Sequence, residues 1–350
     1  MSGEWRHSLA LGLVHYMAYP ELMSGTGPIV EKLAATALDA TLSVIEVTHM
    51  DDRKVRNEAR MALQAAGVRV VFAGTVPLAH SGLALSATDP ADRRRAVDFA
   101  CSLVDEAREV GAELFYLISG PDPGPAKRAQ AYRALHRSIR DVCRYARQHS
   151  DPGQDPGQDS GQDSGHDPAL IAAVARSRPL RLALEPADRD VDHRELTGPY
   201  DEVIPIIEDV RRDFPEFGLV VDQSHLLQLG EDPAKVIPRC APFTWDYHLA
   251  NVILDDPGHP QYGDKHPGFG VPGSRVGLRE LASYIGLIVR TNSALGLARP
   301  IVDLEVRTAP GEVPDQVVAA AKQSFLDAWA LRTSLAHSGD TIHFGSTPHP

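Results

Sequence analysis

The sequence predicts a single-domain α/β chain folded as a (β/α)8 barrel. Three observations carry this expectation. Eight short apolar, β-leaning runs recur along the 350 residues. Most are continuous rather than alternating, as strands covered by helices on both faces are. Helical patterns lie between them, and parallel strands joined by helical crossovers define the α/β class. An open doubly wound sheet is the alternative; eight such units favour the closed barrel.

In order, the strand candidates are Leu9–Met17, Leu42–Val47, Val68–Phe72, Glu113–Ile118, Leu180–Glu185, Gly218–Asp222, Phe243–His248 and Pro300–Val306. Helical patterns include Ala91–Val110, Ala126–Arg147, Tyr200–Arg212, Leu278–Val289 and Pro314–Leu331. Asp89-Pro90 reads as an N-cap followed by proline in the first turn, and Pro314 as a similar start. Residues 151–167 read DPGQDPGQDSGQDSGHD and break the pattern. This repeat has no apolar residue to bury, so it is expected to be a mobile insertion before strand five, on the N-terminal face. Its period of four and missing closing glutamate exclude an EF-hand loop. The barrel is expected to span 1–338, with 339–350 a frayed tail.

Composition narrows the function classes. Hydrophobic residues make up 43% and charged residues 23%, which excludes wholesale disorder. No apolar run approaches the roughly 18 residues of a membrane helix. The polar stretch Met1–His7 does not read as a signal peptide. The net charge of −12 disfavours a phosphate backbone as partner. Cys101, Cys143 and Cys240 are scattered, without paired metal-ligand spacing, so a reduced, cytoplasmic protein is expected. No dinucleotide fingerprint or Walker loop is present, so no nucleotide cofactor is expected.

In a barrel, chemistry belongs at the C-terminal ends of the strands. Strand five ends in Glu185, strand six in Asp222 with His225 three residues on, strand seven in His248, and strand eight in Glu305. A buried carboxylate or imidazole is costly when unpaired. Singly, each has an ordinary structural explanation: a strand cap, a helix cap or a satisfied core histidine. Four converging on one mouth call for a compensating cation. Three carboxylates and one imidazole suit one divalent ion: Mn²⁺, Mg²⁺, Co²⁺ or Zn²⁺. His15, Glu46 and His49 close strands one and two and are candidates for the pocket rim. Trp245, near the metal histidine, is a candidate apolar wall, and Arg307 a candidate anion contact.

With these residues in place, the chain resembles the xylose isomerase-like TIM barrels. These include sugar and sugar-phosphate isomerases and epimerases, hydroxypyruvate isomerase, inosose dehydratase and endonuclease IV. The resemblance covers most of the chain and implies that Glu185, Asp222, His248 and Glu305 bind one divalent metal. It extends to the D-x-x-H pattern Asp222-Gln223-Ser224-His225 and to the loop Gly263–Gly270, with Asp264 and His266. It implies an isomerase or epimerase of a sugar, sugar phosphate or cyclitol. Glu185 and Glu305 would exchange protons through a metal-stabilised enediolate. His225, Asp264, His266, Glu46, His15 and Trp245 would line the substrate site. The partner implied is a small polyhydroxy carbonyl compound, and family members are often homo-oligomers.

Three alternatives accompany this reading. One is a lyase or dehydratase of the same family, including a C-glycoside-cleaving barrel subunit with a small partner chain. Another is an endonuclease IV-like hydrolase, for which His225, Asp264 and His266 match one zinc. The histidines expected after strands three and four are replaced by Ala73-Gly74 and Ser119-Gly120. The third is a non-catalytic accessory barrel.

Overall fold

The computed structural model describes residues 4–149 and 180–338. Eight strands form one closed parallel barrel in sequence order. They are β1 (Ala10–Val14), β2 (Val44–Thr48), β3 (Arg69–Ala73), β4 (Leu114–Leu117), β5 (Arg181–Leu184), β6 (Phe217–Asp222), β7 (Thr244–Ala250) and β8 (Ile301–Glu305). The barrel closes where β1 pairs with β8, with Gly12 beside Asp303. The repeat at 151–167 and the tail at 339–350 lie outside the described residues.

Local signals explain the helices between the strands. Asp89 accepts from the backbone N–H of Ala91 and Asp92, and Pro90 opens Pro90–Val110, as the Asp-Pro pair predicts. Gly111 ends that helix in the left-handed region. Arg53–Ala66 begins on Asp52 and stops at Gly67 in the same way. Pro125–Gln148, Tyr200–Arg211, Leu278–Ala294 and Pro314–Ser338 continue the outer ring.

Two layers of core follow from strand alternation. Outward side chains such as Leu11, Leu13, Phe72, Phe115 and Leu219 pack beneath the helices. Inward ones, including Ala10, Val14, Val44, Val71, Ala183, Val220 and Ile301, fill the barrel. Strand one is shorter than its apolar run. It ends at Val14, and His15–Ala18 forms a short helix. Periodicity does not separate strand from helix in a continuous apolar run.

One irregularity positions the site. The β6–β7 register shifts between Leu219 and Val220: Leu219 pairs with Thr244, but Val220 pairs with Asp246. Trp245 is the extra residue. The shift brings Asp246 and His248 level with Val220 and Asp222 on the inner face, because a one-residue slip exchanges the two faces of a strand.

Candidate metal centre

The four predicted ligands stand at the mouth formed by β5 to β8. Glu185 follows β5, and its backbone N–H donates to Leu117 O at 2.9 Å. Asp222 ends β6 opposite His248. Its Oδ1 accepts from His225 N at 2.8 Å and from Ser224 Oγ. Its Oδ2 is buried without a partner. Glu305 ends β8 opposite Ala250. His248 Nδ1 lies 2.9 Å from Glu305 Oε2 and 3.7 Å from Glu185 Oε1. Glu185, His248 and Glu305 bring one donor atom each within 4.8 Å of one another. Asp222, His266 and Glu305 form an adjoining triad of the same span, with Glu305 common to both.

Glu46 has a different place from the one the sequence suggests. It is fully buried and does not line the mouth cavity. It lies behind His248, with Oε2 3.2 Å from His248 Nε2. Its Oε1 accepts from Tyr116 Oη at 2.7 Å and Tyr16 Oη at 3.0 Å. A carboxylate behind a ligating histidine sets the tautomer and turns the other nitrogen toward a metal. Position 46 faces inward beside Val14, one level below the rim.

A second polar group stands over the first. His225 Nε2 is 3.7 Å from Glu185 Oε1, and its Nδ1 is 3.5 Å from Asp264 Oδ1. His266 Nε2 lies 3.3 Å from Asp264 and 3.6 Å from Glu305. His266 has a φ of +42°, a left-handed backbone costly for a side-chain-bearing residue. His193, which sequence reasoning missed, reaches Asp264 Oδ2 at 2.5 Å. Its loop is folded around Asp188, whose carboxylate accepts from the N–H groups of Val191, Asp192 and His193. No periodic signal marks such a loop; the cluster of acids and a histidine at 188–195 is the only trace in the sequence.

These groups line one side of a cavity of about 220 Å³. Tyr16, Met17, Met23, Val76 and Ile118 line another part of it, and Arg307 also faces it. His15 and Trp245 do not. His15 begins the helix after β1, is buried, and packs on Tyr19 with ring centroids 4.7 Å apart. Trp245 lies at the opposite end of the barrel, where Nε1 donates to Glu216 O at 3.1 Å. The guanidinium of Arg181 sits 4.7 Å from its ring. Its bulged position, rather than its closeness to His248 in sequence, decides this. His49 pairs with Glu106 and Asp51 on the helix side.

Charge and burial drive these groups apart. Burial pushes Glu185 well above the usual carboxylate range. Burial also acts to raise Glu305, but His266 and His248 outweigh it and bring the group down to about 2. Burial opposes a charge on His248, yet Glu46 and Glu305 hold it well above the ordinary imidazole value. Asp264 raises His193 to about 10. The orphaned Asp222 oxygen and the clustered carboxylate and imidazole donors fit a divalent cation. Glu185, Asp222, His248 and Glu305 would hold it.

This fold and donor set define a class of barrel with an acid-rich centre at its C-terminal mouth. The chain belongs to the xylose isomerase-like TIM barrel family, whose profile matches residues 34–284. No curated protein matches it by sequence. Among solved structures it is similar to an L-ribulose 3-epimerase, at 15% identity and TM-score 0.63, covering 95% of this chain and 99% of that one. It is also similar to D-psicose 3-epimerase from Clostridium cellulolyticum H10, at 12% identity and TM-score 0.58, covering 93% and 99%. A third is the IOLI protein with a bound zinc atom, at 11% identity and TM-score 0.57, covering 95% and 100%.

Proposed function

We propose that this protein is a divalent-metal-dependent isomerase or epimerase of a small polyhydroxy carbonyl compound. One observation carries the reading. Glu185, His248 Nδ1 and Glu305 converge at the barrel mouth while Glu46 backs His248 Nε2. The similar epimerase structures agree with it.

A cation held by Glu185, Asp222, His248 and Glu305 would polarise the substrate carbonyl and offset the charge that develops as a proton leaves carbon. The residues supply the rest. Glu185, just after β5, and Glu305, at the end of β8, are assigned the proton exchange at the reacting carbon. His225, Asp264 and His266 are placed to orient substrate hydroxyls. The apolar side formed by Met17, Met23 and Ile118 excludes water from the reacting carbon.

The experiment combines elemental analysis with a ketose panel in deuterium oxide. Glu185→Ala should hold about one divalent metal per chain fewer than wild type, and deuterium at the carbon next to the product carbonyl is expected. Glu305→Gln should lower turnover by about 10²–10⁴-fold with the circular dichroism spectrum unchanged. Full activity in that variant would remove Glu305 from the mechanism. A product lighter by one water would move the assignment to a dehydratase. The ends of β3 and β4, Ala73-Gly74 and Ser119-Gly120, lack the histidines an endonuclease IV-like centre would need.

A further inference from the structure

Beneath the candidate centre, the barrel interior holds two more acids. Asp246 precedes His248 by two residues on β7, and Asp303 precedes Glu305 by two on β8. Each therefore points inward like its neighbour. Both are fully buried. Apart from a proton the two can share, their carboxylate oxygens have no hydrogen-bond donor. Neither forms a salt bridge with a lysine or arginine among the described residues; His248 Nε2 lies 3.9 Å from Asp246 Oδ2. The barrel leaves room for Asp303 by placing glycine opposite it. A Cβ on Gly12 would fall 1.8 Å from Asp303 Oδ1.

Buried carboxylates are costly unless something offsets their charge. Glu46, Asp246, His248 and Asp303 each offer one donor atom, and the four atoms lie within 4.8 Å of one another. The group contains three oxygens and one nitrogen. All four residues are fully buried, away from the solvent that supplies the water ligands Mg²⁺ retains. A closed four-donor set of this composition suits zinc.

We propose that the barrel interior binds a second divalent cation, held by Glu46, Asp246, Asp303 and the Nε2 side of His248, below the cation of the mouth. Binding displaces the proton between His248 Nε2 and Glu46 to solvent. The imidazole ring then stands between the two ions. The inference does not depend on the proposed reaction, because the lower cage keeps its three carboxylates whatever the mouth does.

The test uses zinc alone. After chelation and repletion, Glu185→Ala/Glu305→Ala protein should lose the upper ion. A crystal of it grown with zinc should show an anomalous peak about 2.0–2.2 Å from Asp246 and Asp303 oxygens. Asp246→Asn/Asp303→Asn, nearly isosteric, should lose one zinc per chain relative to wild type. The wild-type crystal decides the matter if either variant fails to fold. Absence of a peak between the two aspartates in zinc-replete wild type would overturn the proposal and leave the pair sharing a proton.

Discussion

His15 shows how far burial alone carries a titratable residue. Its ring is buried, Nε2 has no partner, and burial lowers its pKa from 6.5 to about 4. The unfolded chain therefore binds the proton more tightly than the folded one. The stability that the neutral ring permits is present above pH 6.5 and is lost as pH falls toward 4. A shift of this size corresponds to about 3 kcal/mol. Urea unfolding of metal-free wild type and His15→Leu should show their stability difference moving in the variant's favour by about that amount between pH 7 and pH 4. A pH-independent difference would refute this. The residue was legible in sequence as an unusual polar end to an apolar run, but not its role. Its role depends on where β1 stops, and the helix His15–Ala18 carries the ring away from the mouth.

Strand β7 shows the same limit at the scale of an element. His248 stood out because it ends an apolar run. Asp246 shares its face but was passed over, since alternation is readable only once the inner face is known. Trp245 adjoins both in sequence, yet it is the bulged residue and lies over Gly218, where a Cβ would come within 2.4 Å of its Nε1. It braces the register of the site from the far end of the strand. Trp245→Ala should therefore lower stability by about 3–5 kcal/mol in chemical denaturation. KM for any substrate the panel identifies should change little in the protein that remains folded. A raised KM with unchanged stability would return Trp245 to the substrate site. Glu185, Asp222, His248 and Glu305 were all visible in sequence because they are polar interruptions at the ends of buried strands. His193 was not, because its position comes from a loop wound about Asp188.

At the scale of the molecule, the order of strands and the fold class were legible because most strands are nearly continuous apolar runs between helical patterns. Pairings such as Gly12 with Asp303 were not, because barrel closure is a long-range event with no local signal. In the sequence, 151–167 falls between Pro125–Gln148 and β5, and β5 begins at the face opposite the mouth. Deleting 151–167 should leave turnover within about twofold of wild type; a loss beyond tenfold would tie the repeat to the site. Barrel closure also bears on how the protein is made. β8 carries Glu305, and its partner on one side is β1, the first strand of the barrel to be made. The earliest and latest strands must meet before the mouth has all of its acids. A nascent chain paused after β7 therefore holds Glu185, Asp222 and His248 without Glu305, so a complete donor set for a cation arrives only with β8 rather than growing with chain length.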